Sequence, residues 1–417
     1  MDTMELFDQI ILNINYYKNE RVFTIYTSIL LSAIIIGITG FLFWFLAAKL
    51  YPDESVGIAV GIISAMNLII TMSRFGYDQS IIRFFPEFDH EKILGTAIGI
   101  TTITAFIIAI IAVLSVEIWS PELIVLKEYF WIFALTVCIN SFVNIACVAL
   151  VTLHLPKEYF IQNSLLSSRI IFLFAFVFIG CLGIFLSLSL SFILAGIFIL
   201  YVLFNNNVKH FLFDISILKK TIIFSFGNYL FNSFLLIPSQ ILPIIVLSML
   251  GPSAAAVYYI DYTIAAVLFI IPTAFATSLF VEGSYGESIR KILVMSVLPI
   301  GSLLFISILG IFLFGPHLLS FFGQQYTDGI NLLKLFAISS IFVGIFQVSA
   351  TIKKIQKDVK TMVFMSALLF LFVIGISYLL LPVYGLDGIG YAWIISYAAM
   401  ALLICCQIIW GNRSNES

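Results

Sequence analysis

Charge is scarce in this sequence. Only 10% of the 417 residues are Asp, Glu, Lys or Arg, while 62% are hydrophobic. A soluble globular chain is about a quarter charged, so a water-exposed surface is excluded. The 20 basic and 22 acidic residues nearly balance, which leaves no basic field for nucleic acid. Cysteine is sparse and unpatterned. Cys138, Cys147, Cys181, Cys405 and Cys406 all lie inside apolar runs without CxxC spacing, so they read as small buried hydrophobes. Four scattered histidines offer no metal cluster. There is no Walker A motif, so no ATPase of its own is expected. Residues 1–20, MDTMELFDQIILNINYYKNE, lack a basic start leading to a cleavage site, so no signal peptide is expected. They read either as an amphipathic lead-in on a membrane surface or as a frayed terminus.

Long apolar runs are what the sequence does have. A spanning helix needs roughly 20 apolar residues. Twelve segments qualify: 24–48, 55–76, 93–116, 129–153, 165–186, 188–204, 221–250, 254–281, 292–314, 330–352, 361–382 and 387–410. Runs such as SAIIIGITGFLFWFL are continuous rather than alternating, which points to helices and not a barrel. The expected fold is an all-α integral membrane protein of about twelve transmembrane helices. Threading the twelve segments through a membrane puts seventeen of the twenty Lys and Arg residues on one side, Lys157 and Arg169 among them. Only Lys49, Lys127 and Lys334 fall on the other. The positive-inside rule makes the basic side cytoplasmic, with both termini on it. Trp44, Trp119, Trp131 and Trp393 fall near the opposite ends of their segments, as an aromatic belt would.

The chain also resembles itself at an offset of about 200 residues. LYPDESVGIAV (50–60) lies over LGPSAAAVYYI (250–260), EKILGTAIG (91–99) over RKILVMSVL (290–298), and VALVTLHLPKEYF (148–160) over VSATIKKIQKDVK (348–360). Six segments per repeat is an even number, so the two bundles keep one orientation and form a pseudo-symmetric pair. The expected division is a first lobe over 1–204, a basic-side linker over 205–220 and a second lobe over 221–417.

Polar residues recur at helical spacing on several segments. Ser64, Asn67, Thr71, Arg74 and Asp78 fall within roughly 80° of one another on segment two. Thr221, Ser225, Asn228, Asn232 and Ser239 do the same on segment seven, which also carries Pro238 and Pro243. Segment one has Thr24, Ser28, Ser32 and Thr39, segment four Thr136, Asn140 and Asn144, and segment ten Ser340, Gln347 and Thr351. Such stripes either line a cavity or join helices by hydrogen bonds. For segments two and seven the cavity is expected, and for four and ten the joining role. The candidate substrate-binding set is Ser32, Ser64, Asn67, Thr71, Arg74, Asn228 and Asn232, with Arg21 at the mouth. Asp261, about 10 Å inside segment eight, reads as an ion-coupling site or as an acid hydrated near the interface. Arg74 and Asp78 are spaced to pair, whereas Arg83 points away and reads as a surface charge. YGLDGIGYAW (384–393) follows no strand and reads as a tight turn between helices, not a nucleotide loop.

RFGYDQSIIRFFPE after segment two, the LYPDESVGI and LGPSAAAVYY turns, and YGLDGIGYAWIISY into segment twelve resemble the Wzx-type polysaccharide flippases. These belong to the multidrug/oligosaccharidyl-lipid/polysaccharide (MOP) superfamily. The resemblance spans nearly the whole chain and implies a MATE/MurJ-like fold in the bacterial inner membrane. It implies an undecaprenyl-pyrophosphate-linked glycan as substrate, moved from the cytoplasmic to the periplasmic leaflet by alternating access. It further implies a glycan polymerase and chain-length proteins as partners. No cofactor is expected beyond a proton or sodium gradient or the membrane potential. Relatives line the cavity with several basic residues, whereas the mid-depth positions singled out here are Ser, Asn and Thr. A cation-coupled exporter remains the alternative, and a membrane glycan polymerase a more distant one. The short connections on the non-basic side argue against the polymerase.

Overall fold

The computed structural model describes residues 20–414, without the side chains of 20–26, 222–225, 227–228, 290 and 405–414. The N-terminal lead-in and the side chains of Arg21 and Asn228 therefore lie outside the described residues. The first half of the chain forms α1 (Glu20–Leu50), α2 (Asp53–Ser73), a short α3 (Tyr77–Phe84), α4 (His90–Leu114) and α5 (Phe130–Thr152). It continues with α6 (Pro156–Leu166), α7 (Arg169–Ala175) and α8 (Cys181–Asn205). The second half forms α9 (Ile215–Leu250), α10 (Pro252–Ser284), α11 (Ile289–Phe322), α12 (Ile330–Ile355), α13 (Val359–Tyr384) and α14 (Asp387–Ser414). Among the described residues, eleven of these helices are long and apolar enough to cross a membrane.

The remaining crossing differs from expectation. The apolar window predicts segment five over 165–186. Instead it begins at Pro156 and is broken into α6, α7 and a 3-10 turn at Val177–Ile179, then reverses at Gly180. Non-helical backbone inside a membrane is tolerated where protein or water surrounds it, and this segment packs on α1 and α8. Arg169 consequently sits thirteen residues into the crossing, roughly 20 Å along it. It is not a basic-side surface charge.

Helices α1 to α8 pack mainly on one another, as do α9 to α14. The two sets meet where α2 lies against α9 and α10, where α9 also packs on α3 and α4, and where α1 touches α11. One apolar cluster, including Val56, Val60, Leu247 and Ala256, runs through that junction. Turn geometry repeats as well. Gly180 (φ 63°, ψ −138°), before the sixth crossing, matches Gly385 (φ 56°, ψ −142°), before the twelfth. Glycine adopts this left-handed backbone without a Cβ clash.

Three helices that start on the basic side carry an Asp cap. Asp89, Asp214 and Asp358 accept from the backbone N–H of Lys92, Ser216 and Thr361. Such caps satisfy the free donors of a first turn. The Ser216 hydroxyl and backbone N–H hold the exposed Asp214 carboxyl below its usual range. The segment before it lies across the start of α4. There, Glu91 Oε1 accepts from the N–H groups of Lys209 and His210 at 2.8 and 3.0 Å.

Candidate functional site

The basic-side end of α2 is where charge enters an apolar helix. The helix stops at Ser73, and Phe75 (φ 46°) and Gly76 (φ 75°) turn the chain into α3. Ser64 is buried, while Asn67, Thr71 and Arg74 are half-buried. Arg74 Nη2 donates to Asn144 Oδ1 at 2.7 Å. Asn144 Nδ2 donates in turn to Asn140 Oδ1 at 2.6 Å, and Asn140 Nδ2 reaches Met66 Sδ at 3.6 Å. A polar chain thus links α2 to α5 from Arg74 inward. Asp78 lies near, but the short bond of Arg74 goes to Asn144, and Arg74 Nε has no partner. Arg83 pairs with Glu87 at 2.7 Å on the surface.

Arg74 and Thr71 line a cavity of about 120 Å³, whose opposite wall is Tyr229, Asn232 and Ser233 of α9. The Tyr229 hydroxyl donates to the Met72 carbonyl at 2.7 Å and fixes that wall to α2. Asn232 also borders a second, open cavity of about 210 Å³, lined by Thr273, Thr277 and Phe280 of α10 and by Gln347, Thr351 and Lys354 of α12. Lys354 Nζ lies 4.4 Å from the Phe280 ring centre. Of these residues, sequence spacing singled out Asn232, Gln347 and Thr351. Thr273 and Thr277 carry an i,i+4 signal that went unread, and Lys354 was counted only for orientation.

The opposite ends of the helices are shut. The face of Gly57 on α2 lies against the backbone of Pro252 with no room for a β-carbon, and that of Gly61 against Leu247. Trp44 of α1 and Tyr259 of α10 pack with ring centres 4.5 Å apart. Below them, the Arg169 guanidinium lies 5.4 Å from the Phe43 ring centre and against Gly40. It makes no ion pair among the described residues, and its Nε lacks a partner. Arg169 is thus a cation within the crossing, besides the Ser, Asn and Thr positions that spacing singled out. Ser32 is buried and donates to the Ser28 carbonyl at 2.7 Å. It shares a face with Thr39, which receives a bond from Ser167 at 3.1 Å. This places the α1 stripe toward the broken fifth crossing, apart from Arg74 and Asn232.

Asp261 is fully buried, and neither carboxylate oxygen has a hydrogen-bond partner. It abuts Gly329, the residue capping α12, which has no space for a β-carbon. Its sequence neighbours Tyr258 and Tyr262 stack at 6.2 Å, and Tyr262 meets Trp393 edge-on at 5.9 Å. Asp261 lines neither cavity described above. It is enclosed by protein.

The sequence matches no protein-family model and no curated protein sequence. Solved structures do match. A lipid II flippase MurJ in an inward closed conformation superposes with a TM-score of 0.76 at 15% identity, covering 91% of this chain and 87% of that one. An inward-facing MATE-family multidrug transporter of the MOP superfamily gives 0.71 at 16%, covering 92% and 94%. An outward-facing MATE transporter gives 0.60 at 17%, covering 94% and 96%. The chain has the MATE/MurJ-like fold. It is an all-helical, multi-pass membrane protein, as its long apolar runs implied.

Proposed function

We propose that the protein is a flippase that moves an undecaprenyl-diphosphate-linked oligosaccharide from the cytoplasmic to the periplasmic leaflet of a bacterial inner membrane. The observation that carries this reading is the pair of cavities meeting at Asn232. Their polar lining is amide and hydroxyl groups with Arg74 and Lys354, and the one carboxylate is Asp78. Stripping a sugar hydroxyl of water costs ~4–8 kcal/mol in hydrocarbon, and such a lining replaces those bonds. Arg74 receives the diphosphate at the cytoplasmic mouth, and Arg169 offers a second cation deeper in the passage. The polyprenyl tail stays in lipid along apolar faces such as Leu30, Leu31 and Ile34 of α1.

Transport in this reading is a rocking of residues 1–204 against 221–417 about the linker 205–220. The sealed Gly57–Pro252 contact and the higher likeness to inward conformations support a resting state closed to the periplasm. Each negative charge moving outward gains ~2.3 kcal/mol per 100 mV, so voltage drives the step and Asp261 adds coupling to protons or sodium. A polymerase and chain-length proteins would consume the product. The aromatic neighbours of Asp261 favour a second reading, a cation-coupled exporter of small molecules. Proteoliposomes decide between the two. Wild-type protein moves a fluorescent lipid-linked glycan across the bilayer and Arg74→Glu does not. Movement of a cationic dye instead, with the glycolipid static, would overturn the flippase.

A further inference from the structure

The cavity beside Lys354 lies wholly within the second half of the chain and is separate from the Arg74 pocket except at Asn232. Its hydrogen-bonding capacity can be worked out group by group. The Thr273 hydroxyl donates to the Phe269 carbonyl at 2.8 Å, and that of Thr277 to the Thr273 carbonyl at 2.9 Å. A hydroxyl has one proton, so both threonines offer the cavity lone pairs alone. Asn232 and Gln347 offer amide donors and acceptors, and Lys354 offers donors only. No carboxylate lines the space.

An apolar occupant would leave the amides unpaired, and a cation would meet Lys354. What fits is a ring whose hydroxyls donate to the threonines and accept from the amides, beside an oxyanion. The volume of about 210 Å³ is below the ~300–1,000 Å³ that enclose a larger ligand and suits one ring, while a further open space of about 310 Å³ begins at Thr273 and Thr277. Depth orders the two parts. Lys354 is in the last turn of α12, Thr351 and Gln347 lie one and two turns deeper, and Thr277 and Thr273 flank them on α10.

We propose that this cavity is a subsite for the single sugar ring attached to the diphosphate, with Lys354 at its rim holding a phosphate oxygen at headgroup level. The inference rests on the glycolipid reading above and narrows it to the ring adjoining the diphosphate.

Binding to the full-length protein in nanodiscs tests it, with two probes: a short-chain prenyl diphosphate, and the same diphosphate bearing one N-acetylhexosamine or one hexose. The sugar-bearing probes are expected to bind about tenfold more tightly, the worth of one or two hydrogen bonds. Thr277→Val and Gln347→Leu should each bring the ratio of the two affinities toward one, and Thr277→Ser, which keeps the hydroxyl, should preserve it. Lys354→Gln should weaken both probes severalfold. Equal affinities in the wild type, or a ratio untouched by Thr277→Val and Gln347→Leu, would overturn the subsite while leaving the flippase in place. Failure of every diphosphate probe to bind would overturn the flippase reading with it.

Discussion

Asp261 and Gly329 are packed face to face, with the acid's carboxylate where a β-carbon on residue 329 would have to go. Gly329→Ala is therefore an overpacking change, expected to destabilise the protein by about 1–3 kcal/mol, read as a lower unfolding temperature in detergent. Asp261→Asn preserves the shape and should unfold like the wild type. If Asp261 carries the coupling ion, transport by that variant in proteoliposomes should no longer respond to pH or sodium gradients. An Asn variant that still responds would remove Asp261 from coupling.

Arg74 is tied to Asn144 by a charge-assisted bond. Losing it through Asn144→Leu should cost about 1.5–3 kcal/mol, measured by chemical or thermal unfolding. In cells, Arg74→Ala and Arg74→Glu should reduce surface glycan, Glu more severely. Arg74→Lys should restore it only in part, because an ammonium lacks the forked geometry. Normal glycan in the Ala and Glu strains would exclude the assigned role.

Arg169 is a half-buried cation whose Nε is buried and unpaired, and it makes no ion pair among the described residues. Replacing a buried charge with an apolar side chain of similar length is often neutral or stabilising. Arg169→Met should thus unfold at the same temperature or higher, yet transport slowly. Wild-type transport rates in this variant would show that the passage does not use the guanidinium.

Much of the fold was legible in the sequence because apolar run length and helix length are the same physical quantity. Eleven of the twelve expected segments coincide with helices, most with ends within a few residues, though the sixth starts seven residues earlier, at Cys181, and the ninth ends eight residues later, at Phe322. The fifth was misplaced for a specific reason. Gln162, Asn163, Ser164, Ser167 and Ser168 dilute the first half of that crossing, so the apolar window slid outward to 165–186. That slide put Arg169 at a segment start, where it counted as a surface charge. The α2 stripe was readable because Thr71 and Arg74 follow helical spacing to the cavity wall. Thr273 and Thr277 were not, since a threonine bonded to its own helix looks alike in sequence whether it faces a cavity or a neighbour. Asn232 faces both cavities, whereas Ser32 follows the same spacing rule and ends against the broken helix. Spacing gives the face but not the partner.

The Asp214 cap should make stability depend on pH in a defined direction. Its carboxyl is held below the usual ~3.9. The cap therefore stabilises the protein above that value, and the contribution is lost as pH falls through the lower, folded value. Asp214→Ala should unfold at a lower temperature than wild type at pH 7, with the difference closing below about pH 4. A difference that grows on acidification would contradict the assignment.

The most direct measurement is the leaflet distribution of lipid-linked glycan in cells depleted of this protein. Flipping across the inner membrane predicts that single lipid-linked units accumulate in the cytoplasmic leaflet, out of reach of an impermeant glycosidase or lectin added outside spheroplasts. Accumulation in the outer leaflet, open to the same reagent, would contradict it and point to a polymerase step instead.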